Sequence, residues 1–116
     1  MDESGSVEPR LPTHLEVDAL RRRAEAAGAF VMVLARGDAD RGDVLLKLVA
    51  EAGVRLLARE IGIDGRRVYR ELLPEGACAV DAERLIIRRR EFDPDLWVIE
   101  IEDREGRHFL TEEVHN

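Results

Sequence analysis

The sequence contains one cysteine, one lysine and two serines, and each scarcity removes a class of chemistry. Cys78 alone excludes an internal disulfide and a cysteine-based zinc site within one chain. Ser4 and Ser6 both stand among the first ten residues, so a serine nucleophile held in a folded site is excluded. Phe30, Tyr69, Phe92, Trp97 and Phe109 are the only aromatic residues, too scattered for a base-stacking platform. The longest unbroken apolar run, Ala29 to Ala35, falls far short of the roughly 20 residues of a membrane-spanning helix. The opening MDESGSVEPR is acidic and polar, unlike a secretory signal or a transit peptide. No glycine-rich loop matches a phosphate or dinucleotide motif. These absences lead to the expectation of a cytoplasmic domain with no membrane partner, no cofactor and no metal.

The 116 residues suffice for one ordinary domain, and 45% hydrophobic residues suffice for a core. Charged residues make up 37%, with 25 acids against 18 bases for a net charge of −7. Part of that acidity belongs to the ends: residues 1–10 contribute −2 and Glu112 with Glu113 another −2, leaving −3 on residues 11–111. Every base but Lys47 is arginine, a bias that a GC-rich genome produces as readily as a need for bidentate anion recognition. Acids are interleaved with the arginine runs Arg21–Arg23, Arg66–Arg67 and Arg88–Arg90, so no basic stripe forms and nucleic acid is not an expected partner.

Along the chain, residues 1–10 read as a disordered tail. Leu11 to Val17 suggests a short strand, and Asp18 an N-cap to a helix at 19–27 that ends on Gly28 at C′. Ala29 to Arg36 is apolar on both alternating sides, the pattern of a strand covered on both faces. After the loop Gly37 to Asp43, Val44 to Ala50 reads as its antiparallel partner, followed by strands at Val54–Glu60 and Val68–Leu73 around the Asp64-Gly65 turn. A second helix spans about 80–92 and must stop before Pro94. The last apolar segment reads as a hairpin turning at Asp103 to Gly106. It would set Ile101 opposite His108, with Trp97, Ile99, Ile101, His108 and Leu110 on one face and Phe109 on the other. The order predicts an α+β fold: a single compact domain over 11–111, a mostly antiparallel sheet with two helices packed on one of its faces, and an acidic tail at 112–116.

Several constellations invite a chemical reading. Asp38, Asp40 and Asp43 have the early spacing of a calcium-binding loop, but Gly42 falls at a liganding position and no Glu closes the loop at Val49. A solvated turn accounts for them. Two Arg-Gly-Asp triplets lie in the same stretch and carry no adhesion role in a chain without an export signal. Asp95, Glu100 and Glu102 lack the lysine that accompanies the acidic centre of metal-dependent nucleases. Cys78, in Gly-Ala-Cys-Ala, reads as a small buried residue. On the second helix Ala82, Leu85, Ile86 and Phe92 form one apolar stripe with Arg89 in its middle, so Arg89 either snorkels to water or is a partly buried guanidinium paired with a carboxylate, structurally or as an anion-binding group. Val80 and Ile87 lie on the opposite side, which suggests a subunit contact. His108, beside an apolar row, reads as a hydrogen-bonded histidine at the core's edge. His14 and His115 have no spacing that would pair them with it.

The segments Ala24-Glu25-Ala26-Ala27-Gly28, Arg36-Gly37-Asp38-Ala39-Asp40 with Gly42, and above all Arg88 to Asp103 (RRREFDPDLWVIEIED) with Gly106-Arg107-His108-Phe109 resemble an alphaproteobacterial family, domain-of-unknown-function family 1491. The resemblance runs from Leu11 to about Leu110. It implies one compact αβ domain and brings no activity, substrate, cofactor or catalytic residue.

The expectation is therefore an uncharacterised small domain, non-enzymatic, acting through protein–protein contacts that include a homodimer. The alternative is a small-molecule or anion-binding domain, or an enzyme of unfamiliar type, using Arg89 and nearby arginines. No catalytic residue is expected; Arg89, Trp97, Arg107 and His108 are the candidate anion or partner contacts.

Overall fold

A computed structural model describes residues 11–116, so the expected tail at 1–10 lies outside the described residues. The elements in chain order are α1 (Thr13–Ala26), β1 (Phe30–Ala35), β2 (Val44–Ala50), β3 (Gly53–Ile61), β4 (Arg67–Glu71), α2 (Ala79–Phe92), β5 (Trp97–Glu102) and β6 (Glu113–His115). The strands form one six-stranded sheet in the order β1-β5-β2-β3-β4-β6. The β1–β5, β2–β3 and β3–β4 pairs are antiparallel; β2–β5 and β4–β6 are parallel. The fold is α+β, as the sequence predicts, with a mixed rather than purely antiparallel sheet.

Helix α1 begins earlier than its sequence suggests. Thr13, Val17, Leu20 and Ala24 repeat at helical spacing and are its buried stripe. Its N-cap is Pro12, which offers no side-chain bond. The first free amides bond instead to a distant loop, Thr13 N–H to the Asp40 carbonyl (3.2 Å) and His14 N–H to that of Ala39 (2.9 Å). This tertiary cap is why Leu11 to Val17 is not a strand. At the other end the Gly28 and Ala29 amides bond back to the Glu25 and Ala24 carbonyls, with Gly28 at φ 94°, a Schellman stop.

The two most apolar segments take the centre of the sheet. Trp97, Val98, Ile99 and Ile101 of β5 and Leu45, Leu46 and Leu48 of β2 are buried, and the two strands lie side by side. Each fully buried Leu or Ile contributes about 1.5–3 kcal/mol. On one face Val44, Leu46, Leu48, Leu57, Tyr69, Trp97, Ile99 and Ile101 meet Val17, Leu20 and Ala24 of α1. On the other, Leu45, Leu56, Ala58 and Val98 meet Leu85 and Ile86 of α2. The helices thus cover opposite faces rather than one, because strands apolar on both alternating sides need two covers.

Three pairing expectations change for one reason, the insertion of β5 between β1 and β2. The β1–β2 hairpin does not exist. The loop from Arg36 to Asp43 must step over a strand, roughly 10 Å at ordinary inter-strand spacing, and it does so by bonding to the start of β5. Asp38 N–H donates to the Asp95 carbonyl (2.9 Å) and Trp97 N–H to that of Asp43 (2.8 Å). The turn at Asp103 to Gly106 forms, but the chain cannot return along β5, whose sides are taken by β1 and β2. Ile101 faces Val31 and Leu48, not His108. Phe109 and Leu110 instead cross the α1 face, both packed on its cluster, and Phe109 holds a left-handed φ of 60°. That path delivers Glu113–His115, expected as part of an acidic tail, to the edge of β4 as β6.

Strand β1 is an edge rather than the doubly covered strand its composition suggests. Val31 and Val33 pack beneath α1, while Phe30, Met32 and Leu34 face outward on the α2 side. A bulge between Val33 and Ala35 places Leu34 and Ala35 together against Val98.

Candidate functional site

The four residues singled out from sequence are not brought together. Arg89 is exposed near the end of α2, and the arginine that turns back to the sheet is Arg90, whose Nη1 donates to the Leu96 carbonyl (2.8 Å). Phe92, expected in the buried stripe, is 86% exposed. Trp97 is buried at the opening of β5. Its Nε1–H donates to the Asp38 carbonyl (2.7 Å), and the Arg36 guanidinium lies 4.9 Å above its ring. Arg107 and His108 follow the far end of β5, roughly 20 Å from Trp97 by strand rise.

Arg107, its side chain half-exposed, is held by Asp103. Its Nε and Nη2 reach the two Asp103 carboxylate oxygens at 3.1 and 2.8 Å, and its backbone N–H adds a bond of 2.9 Å to the same side chain. The guanidinium also lies 5.1 Å over the Phe109 ring. These bonds to Arg107 pull the Asp103 pKa down to about 2. His108 accepts the Leu110 N–H at Nδ1 (3.0 Å), so the neutral ring carries its proton on Nε2. Burial, helped by the nearby Arg55 charge, lowers its pKa below the ordinary imidazole value, against a smaller opposing effect of Glu112. Lys47 joins Glu83 of α2 and Glu100 of β5, each at 3.1 Å. Burial works to lower its pKa, but the two carboxylates prevail and raise it. Cys78, expected to be buried, is exposed at the N-cap of α2 and donates its Sγ–H and N–H to Asp81, both at 3.2 Å.

The Asp38 carboxylate serves its own loop, accepting the Asp40 and Arg41 amides at 3.2 and 2.7 Å. Asp43 pairs with Arg59 (3.6 Å). Among the described residues no group of three or more His, Cys, Asp or Glu side chains is placed to hold a metal ion. Beneath the loop lies a cluster the sequence does not reveal. Arg59, 8% exposed, donates to Glu16 (2.7 Å) and to the Gly42 carbonyl (2.8 Å), and Glu16 also pairs with Arg67. Thr13 Oγ1 donates to the same Gly42 carbonyl (2.8 Å). Glu16 and Arg59 stand 43 residues apart, so spacing gives no signal of their pairing.

Two clefts open at the sheet end beyond β5. One is lined by Phe30, Val49, Glu51, Glu102, Asp103, Arg104, Glu105 and Arg107, the other by Arg55, Glu71, Glu75, Arg104 and Glu105 among others. Carboxylates outnumber guanidinium groups in both, which disfavours an anion.

The surface that stands out is the β1 edge. Phe30 is 76% exposed and Met32 60%, with Leu34 beside them, and no charged residue or proline interrupts Ala29 to Ala35. The other edge is guarded: β6 is three residues long and carries Glu113 and His115. Short, charged edge strands block further pairing, whereas a longer, uncharged apolar edge invites it. Sequence reasoning missed these residues as a surface because periodicity does not separate an apolar edge strand from a buried one.

A small α+β domain with a helix on each face of a mixed sheet and one open apolar edge is the class defined here. The chain belongs to the family described as protein of unknown function (DUF1491), whose model matches residues 11–111. It is similar to the crystal structure of a DUF1491 family protein from Caulobacter crescentus CB15, with 44% identity, TM-score 0.85, 90% of this chain and 99% of that chain covered. A solution structure of a DUF1491 family protein from the same organism matches at 42% identity and TM-score 0.84, covering 91% and 97%. Protein Atu0922 from A. tumefaciens matches at 29% identity and TM-score 0.76, covering 90% and 95%. No curated protein matches the chain. Among the described residues, no helix is long and apolar enough to cross a membrane.

Proposed function

We propose that this chain is a non-enzymatic cytoplasmic domain that works through protein–protein contacts made by the β1 edge. One observation carries the reading: among the described residues no strand pairs with the outer side of the six-residue β1, which presents Phe30, Met32 and Leu34 to solvent. Strand addition to such an edge supplies main-chain hydrogen bonds for affinity and side-chain contacts for specificity. Three groups with displaced pKa values serve the fold, which supports a contact role: Asp103 holds Arg107, His108 holds the Leu110 amide, and Lys47 ties α2 to β5.

Site-directed photo-crosslinking in the native host tests this reading. A benzophenone side chain introduced at Met32 is expected to give protein adducts, identified by mass spectrometry, that the same probe at the exposed Ile63 does not give. Equal labelling at the two positions, or none at Met32, overturns it.

A further inference from the structure

We infer that the β1 edge takes a second copy of this chain, strand to strand about a two-fold axis, joining two six-stranded sheets into one. The inference rests on the contact reading above and names its partner.

The strand is complementary to itself. An antiparallel pair centred on Met32 sets Met32 against the partner's Met32, Phe30 against the partner's Leu34, and Val31 against the partner's Val33. Phe30, Met32 and Leu34 all lie on the α2 side, so this register gathers both exposed trios into one apolar row. Val31 and Val33 stay together on the α1 side. No charge between Ala29 and Ala35 is buried by the pairing.

The flanking charges agree with the same register. Arg36 is exposed on the α1 side, over Trp97. Four residues beyond the centre, its backbone stands opposite the partner's Gly28–Ala29, just past the end of the partner's α1, and its side chain swings from the Trp97 ring to meet it. The last carbonyls of a helix attract a cation, and the exposed Glu25, paired with Arg21 at 3.4 Å in its own helix, lies in that final turn as a second carboxylate contact for Arg36. The two-fold makes this contact twice. The outer face of α2, with exposed Val80 and Ile87, is a poorer self-contact: Arg84, Arg88 and Glu91 stand between them and Phe92, and a helix has no lateral backbone groups to pair.

A single edge pairing buries less than the roughly 800 Å² per partner of a standard interface, so the dimer is weak. Sedimentation equilibrium of the purified protein is expected to show a mass rising from 13.1 kDa toward twice that value between about 1 and 300 μM. Met32→Lys is expected to stay monomeric throughout. Arg36→Glu should weaken association about tenfold, and the pair Arg36→Glu with Glu25→Arg should restore it. Hydrogen exchange of the unaltered protein gives an independent reading, with protection of residues 30–35 rising with concentration while that of 79–92 stays constant. A monomer at every concentration overturns the inference, as does a dimer that protects 79–92 instead. Adducts at Met32 to a different protein, with a purified chain that stays monomeric, leave the contact reading standing and remove the second copy.

Discussion

Gly37 and Gly42 hold their places by lacking a side chain. A Cβ at Gly37 would run into the Asp95 carbonyl and lie 2.7 Å from Trp97 Cδ1; one at Gly42 would lie 2.8 Å from the same ring atom. The loop lies flat on the indole because neither glycine intervenes. Gly37→Ala is expected to cost about 2–3 kcal/mol through backbone displacement, lowering the melting temperature by roughly 10 °C in a thermal melt. Asp103 makes a pH-dependent contribution. Its folded pKa of about 2 lies below the ordinary carboxylate value, so the unfolded chain binds its proton first as pH falls. The stability it supplies is complete above about pH 4–5 and is lost as pH falls through 2. Asp103→Asn should therefore unfold at lower urea than the parent at neutral pH, and the gap should close between pH 4 and 2; a gap constant with pH would contradict the assignment.

At the scale of elements, α1 is joined to the sheet by charge as well as by its apolar stripe. Glu16 sits between Arg59 of β3 and Arg67 of β4, and Arg59 continues to the Gly42 carbonyl that Thr13 also holds. Removing one member leaves another buried without its full partners. Arg59→Met should cost about 3–5 kcal/mol in urea unfolding. Combined with Glu16→Gln, it should cost at least about 1 kcal/mol less than the two single changes summed, because both changes remove the same Arg59–Glu16 pair and the double variant loses it only once. The sequence announces α2, Gly28 and the Asp64-Gly65 turn plainly, since caps and turns are local. It does not announce the start of α1, whose amides are capped by Ala39 and Asp40, nor the Arg59–Glu16–Arg67 cluster. Both depend on residues far apart in the chain. The β1 edge was hidden differently: its apolar character is legible, but whether a neighbour covers it depends on where β5 goes. Arg89 is the converse case, a wheel position mid-stripe that the sheet does not reach.

For the whole molecule, the sheet order sets the order of assembly. Strand β5, the partner of both β1 and β2, is made after all of β1 to β4. A chain emerging from the ribosome can form the β2–β3–β4 meander at once, but β1 has nowhere to dock until Trp97–Glu102 arrives. During that interval α1 is the only element already made that can cover Val31 and Val33, both edges of β1 are open, and the strand resembles the uncharged β-prone segments that aggregate. The long-range pairings on either side of β5 also make closure a slow step. The strand whose outer edge stays open in the finished domain is thus the one left longest without a neighbour during synthesis.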